Sequence, residues 1–312
     1  MRIGNLATGI VPGPYVLNLI DSSILNISSE LRKIALIIIL TRAGLGLDIT
    51  GLKKIGRPAI LMCFLPASFE LLGIILIAPG ALGMSVLEAA IMGAVLAAVS
   101  PAVVVPRMVK LMDNGYGTAK GIPQLILAGA SVDDVYVIVL FSTFTGMMQG
   151  KGASIINFVN IPVSIILGMG IGILAGYLLA MYFEKIHIRD TVKVLLILSI
   201  SFILVATVNI NYLGNMGIKA LIVIFGALIF RMAGVFVCLI KTELNKKERL
   251  FTMMAYTPKA TVQAAIGGIP LALNFACGET VLTIAVLAIV ITAPLGAFAM
   301  DLSYKKLLRR NE

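Results

Sequence analysis

Histidine, cysteine and charge are all scarce in this chain. The one histidine, His187, lies in the charged stretch Glu184-Lys-Ile-His-Ile-Arg-Asp190. That excludes a metal centre built on imidazoles and reads as a solvated loop residue. The three cysteines, Cys63, Cys238 and Cys277, stand singly in or at the ends of apolar runs, which suggests neither a disulfide framework nor a metal site. Charged residues make up 13% of 312 positions, against about 25% in a soluble domain, so a soluble globular fold is excluded. The strand-like alternation that a β-barrel needs is not visible. No cleavable signal peptide is evident, because Pro12-Gly13-Pro14 interrupts the first apolar run.

What is present is long apolar sequence. Hydrophobic residues reach 59%, and apolar segments recur at roughly 3–20 (broken), 34–47, 58–83, 86–106, 121–148, 154–183, 191–208, 215–240, 250–276 and 280–303. Most are long enough to cross a bilayer, which takes about 20 residues. An all-α polytopic membrane protein with nine or ten spans follows. The net charge of +10 then reflects basic cytoplasmic loops rather than nucleic-acid binding. Loops 48–57, 107–120, 184–193 and 241–249 and the tail after Tyr304 hold 17 Lys and Arg, and the alternate loops hold 4. The positive-inside rule places the first set and the C-terminus in the cytoplasm.

Two segments carry breakers where an ordinary span should not. Ser100-Pro101-Ala-Val-Val-Val-Pro106 is one; Pro258-Lys259-Ala-Thr-Val-Gln263 with Gly267-Gly268-Ile269-Pro270 is the other. Each proline removes a helical hydrogen bond and crowds the preceding turn. Non-helical backbone at membrane depth persists only where protein or a water-filled cavity satisfies it. Each broken segment is the middle of a three-span group, and the loop charges give the two groups opposite orientation. Paired broken helices in inverted repeats point to the binding site of a secondary transporter.

Glu70, Asp133, Asp134, Arg231 and Lys259 fall near span centres. A charge there is costly and is a functional-site hypothesis by default. Arg42, Glu88 and Asp301 are close enough to span ends to be interfacial. Arg231 stays charged and needs a buried anion, with Glu70 and Asp133 as candidates. Lys259 is placed to face unwound carbonyls and a helix C-terminal end. If the two cations each neutralise one carboxylate, one carboxylate is left over, and a proton and Na⁺ can compete for it. Na⁺ would take oxygen ligands, which Asp134, Asp133, the Ser100 hydroxyl and carbonyls freed near Pro101 could supply. Gly168, Gly172 and Gly176 form a small-residue ridge that suits close helix packing or a dimer face.

Thr41-Arg-Ala-Gly-Leu-Gly-Leu-Asp48, Gly129-Ala-Ser-Val-Asp-Asp-Val135 and Thr257-Pro-Lys-Ala-Thr-Val-Gln-Ala-Ala265 together resemble the monovalent cation:proton antiporter superfamily (Na⁺/H⁺ exchangers). The likeness is to the branch with an Asp-Asp pair and a Pro-Lys-Ala-Thr-Val-Gln crossover signature. It implies an inverted-repeat fold with two crossing discontinuous helices, in which a core domain moves against a dimerising scaffold. By the resemblance, Asp134 matches the carboxylate that binds ion and proton, and Asp133 its companion. Arg231 matches a basic residue that pairs with a glutamate, here Glu70, and Lys259 matches the lysine at the crossover. It implies antiport of H⁺ against Na⁺, Li⁺ or K⁺, a part in pH homeostasis, a homodimer in the plasma membrane, and no cofactor and no enzymatic activity.

The domain division expected is 1–56 scaffold, 57–150 first core half, 151–213 scaffold or linker, 214–304 second core half and 305–312 cytoplasmic tail. Two departures from the family pattern stand out. Only two spans, 154–183 and 191–208, lie between the core halves where members carry about four. The N-terminus looks short: Gly9-Ile-Val-Pro-Gly-Pro14 resembles the end of a helix whose start is missing. Competing readings are a sodium-coupled organic-anion symporter and a non-transporting subunit or sensor on the same scaffold. An intramembrane aspartyl protease is disfavoured, because adjacent aspartates point about 100° apart on one helix.

Overall fold

The computed structural model describes residues 56–150 and 210–310, the side chains of 131 and 210–217 excepted. The expected segments 3–20, 34–47, 154–183 and 191–208, the glycine ridge, Arg42 and His187 lie outside the described residues. Within them, ten helices and no strands occur. Five helical stretches, Arg57–Leu82, Val86–Asp113, Ile122–Met148, Ile218–Cys238 and Gly278–Leu307, are long and apolar enough to cross a bilayer.

In the first half, α1 (Arg57–Met62) leads into α2 (Leu65–Leu82), which stops at Gly83 in the left-handed conformation. Helix α3 (Val86–Leu96) opens on a capping box: the Glu88 amide donates to Ser85 Oγ, and the Ser85 amide donates to Glu88 Oε2. Glu88 therefore serves the helix start. Residues 97–100 are unwound before α4 (Pro101–Asp113) begins on Pro101. Helix α5 (Ile122–Met148) completes the group with 27 residues.

The second half repeats this order of span, broken span, span. Helix α6 (Ile210–Cys238) is followed by α7 (Lys246–Ala255), itself capped by an Asn245–Glu248 box. An unwound stretch at Thr257–Ala260 separates α7 from α8 (Thr261–Ile266) and the short α9 (Ile269–Ala272), and α10 (Gly278–Leu307) returns.

Two of the four prolines expected at the crossover stand elsewhere. Pro106 lies inside α4, which runs through it to Asp113; losing one ladder donor bends a membrane helix without ending it when neighbours satisfy the freed group. Pro270 starts α9, beyond a second interruption at Gly267–Gly268. Only Pro101 and Pro258 border the unwound stretches.

Helix α2 packs most extensively on α6. Glycine permits it: a Cβ at Gly234 would sit 2.9 Å from Pro66 Cα, and one at Gly73 would meet the Phe230 ring. This close approach, typical of membrane helices, sets Glu70 of α2 against Arg231 of α6. Across the site, a side chain at Gly129 of α5 would overlap the Tyr256 hydroxyl.

Candidate ion-binding site at the helix crossover

The two unwound stretches touch: the Ser100 amide donates to the Pro258 carbonyl at 2.8 Å. Their freed backbone groups need partners, since an unpaired buried polar group costs about 1–3 kcal/mol. Side chains from neighbouring helices provide many of them. Arg231, fully buried, donates from Nε to the Tyr256 carbonyl (2.6 Å) and from Nη1 to the Ala97 carbonyl. The Val99 amide donates to Asp133 Oδ2 at 2.9 Å. The Lys259 amide donates to Thr292 Oγ1 of α10 at 2.9 Å. Gln263 Nε2 bridges the carbonyls of Leu96 (3.2 Å) and Ala98 (3.0 Å) at the end of α3.

The five ionisable residues singled out in the sequence all lie at this crossover and are all buried. Arg231 Nη1 donates to Glu70 Oε2 at 2.8 Å, and Nη2 donates to Asp133 Oδ2 at 2.7 Å. Both anions anticipated for this guanidinium thus contact it together. Lys259 Nζ lies 2.6 Å from Glu70 Oε1 and 2.8 Å from Oε2, with its hydrogen bond directed at Oε2. The lysine that was expected to face unwound carbonyls is on Glu70 instead. Helix approach explains this, since α2 carries Glu70 between the two cations.

Three carboxylates and two cations leave one negative charge unmatched. Glu70 has two cationic partners, Asp133 has one and Asp134 has none: both Asp134 oxygens are buried without a hydrogen-bond partner among the described residues. Asp133 Oδ1, Ser100 Oγ and Gln263 Oε1 are likewise buried and unpartnered. These oxygens are hard donors of the kind a small monovalent cation takes, and Asp134 supplies the charge. Ser100 starts α4 without capping it through its side chain, so its hydroxyl is uncommitted.

Sequence reasoning did not single out three members of this arrangement. Gln263 was visible only as the last letter of a signature, although a glutamine just past a helix break is a signal for backbone carbonyls needing a donor. Thr292 and Tyr256 left no trace, because their parts depend on where α10 and α7 come to lie.

Sodium/hydrogen exchanger 9B2 of Homo sapiens is 33% identical over 353 residues, covering 91% of this chain and 65% of that protein. Sodium/hydrogen exchanger 9B1 of Mus musculus is 31% identical over 350 residues, covering 91% of this chain and 62% of that one. The chain therefore spans somewhat less than two thirds of the length of these curated relatives. The solved sodium proton antiporter MjNhaP1 from Methanocaldococcus jannaschii superposes with a TM-score of 0.79 at 19% identity, over 97% of this chain and 91% of that one, which shows a shared fold. The family described as sodium/hydrogen exchanger, transmembrane, matches residues 1–214, and with more than half its length so matched, this multi-pass membrane chain belongs to the sodium/hydrogen exchanger family.

Proposed function

We propose that the chain is a secondary antiporter that exchanges protons for Na⁺, or for Li⁺ or K⁺, by alternating access. Asp134 is the carboxylate that takes a proton or a metal ion in turn. The observation that carries this reading is its isolation: it is the member of a five-charge buried cluster that no cation among the described residues touches. Asp133 and the Ser100 hydroxyl contribute further oxygens. Glu70, Arg231 and Lys259 balance charge and hold the two breaks together. With Lys259 and Arg231 both engaged by Glu70, one group titrates per cycle, which gives one proton per cation.

Membership of the exchanger family and the names of its relatives support the substrates. The remaining parts of the reading are a homodimer in the plasma membrane, a cytoplasmic C-terminus, and core halves at 57–150 and 214–304 moving against a scaffold formed by 1–56 and 151–213. The alignment to the human relative runs over 353 residues yet engages 91% of this 312-residue chain. Several tens of residues there have no counterpart here, which favours a smaller scaffold and keeps a non-transporting sensor as the second reading.

Dye-monitored proton release from everted vesicles, on adding each cation in turn, tests this. Na⁺, Li⁺ or K⁺ should dissipate the imposed proton gradient, at a rate that a valinomycin potassium clamp does not change. A rate that follows the membrane voltage contradicts one-for-one exchange. No response to any cation favours the sensor.

A further inference from the structure

Where α7 begins and α10 ends, a cleft of about 460 Å³ is lined by Asn245, Lys246, Lys247, Lys306 and Arg309, together with Leu307 and Leu308. Four cations line it and no carboxylate does. All four are exposed, and none forms an ion pair with a described carboxylate. Two other cations are paired. Arg107 is matched by Asp301 (2.8 Å) and Lys120 by Glu248 (2.8 Å). The cleft therefore gathers four exposed cations with no carboxylate in its lining.

Its depth follows from helix geometry. Lys246 lies ten residues before Tyr256, which borders the crossover, so it sits about 15 Å away along α7. That is half of a hydrocarbon core about 30 Å thick. On α10, Lys306 lies fourteen residues past Thr292, which touches Lys259, or about 21 Å along the axis. With the crossover at the bilayer centre, both helix ends reach the level of lipid headgroups. Cationic side chains at that level attract acidic lipid, and Leu307 and Leu308 give the cleft an apolar wall for the glycerol end of such a lipid. The backbone around it is held: the Gly117 amide donates to the Arg309 carbonyl at 2.8 Å, and Tyr116 pairs with Arg310 in an antiparallel bridge.

We propose that this cleft binds the phosphate headgroup of an anionic phospholipid, and so clamps α7 to α10. The full chain in neutral detergent is titrated with phosphatidylglycerol, with phosphatidylcholine and with inorganic phosphate, following thermal stability and lipid adducts in native mass spectra. Phosphatidylglycerol should raise the melting temperature and form adducts, and phosphatidylcholine and inorganic phosphate should do neither. The triple variant Lys247→Gln, Lys306→Gln, Arg309→Gln should melt like the parent in phosphatidylcholine and bind phosphatidylglycerol at least about tenfold more weakly. Equal effects of the two lipids, an equal effect of inorganic phosphate, or an undiminished response in the triple variant overturns the assignment. The readout is lipid binding, so it stands or falls separately from cation exchange.

Discussion

Lys259 and Arg231 share one carboxylate, Glu70, at 2.6 and 2.8 Å. The lysine comes from the second unwound stretch and the arginine from α6, while Glu70 belongs to α2. One glutamate thus joins both inverted halves at their least regular point. Breaking a buried pair by removing one partner costs more than the pair contributes, because the other charge is left in a medium that cannot solvate it.

Glu70→Gln should therefore be among the most damaging substitutions in the chain. Its carboxamide can accept from one cation, but its amide faces the other. We expect a loss of about 3–5 kcal/mol, seen as a large fall in melting temperature in detergent. Exchanging the charges of Glu70 and Arg231 should not rescue it, because a glutamate at 231 would face Asp133 and the carbonyls of Ala97 and Tyr256. A stable double exchange would show that these contacts contribute little to the fold.

Gln263 is a positioning residue. Its amide nitrogen satisfies two carbonyls at the end of α3, and the next amide along, Val99, holds Asp133. Gln263→Leu keeps the volume and strands both carbonyls, at about 1–3 kcal/mol each. Thermal denaturation should report that loss. In vesicles the cation concentration for half-maximal exchange should rise more than the maximal rate falls. An unchanged cation dependence would limit Gln263 to a purely structural part.

The α2–α6 contact predicts a contrast between glycines. Gly234→Ala puts a methyl 2.9 Å from the Pro66 backbone, and such overpacking costs about 1–3 kcal/mol. Gly80→Ala, in the same helix pair, meets nothing within 4 Å and should stabilise α2 by about 0.5–1 kcal/mol. Melting temperatures of the two variants should move in opposite directions.

Much of the site was legible before the fold. Apolar runs revealed the five spans among the described residues, and charges at span centres stood out because the bilayer makes them costly. Paired breakers in matching positions marked the crossover. Charge counting left one carboxylate over, and contacts among the described residues make it Asp134. What could not be read is who pairs with whom. Lys259 reaches Glu70 because Gly73 and Gly234 let two helices approach, and a linear sequence does not display interhelical distance. Pro106 misled for a related reason: its effect depends on whether neighbours satisfy one freed carbonyl. Gln263 carried no charge, so a reading led by the cost of charge passed over it.

Asp134 makes no hydrogen bond or ion pair to any described residue, so its replacement should spare the fold and remove the exchange. Purified parent and Asp134→Asn proteins, reconstituted in liposomes, measure this directly through Na⁺-driven proton movement, with melting temperature as the folding control. The account predicts equal stability within a few degrees and no exchange above protein-free liposomes in the variant. Substantial exchange by a folded Asp134→Asn protein would contradict it.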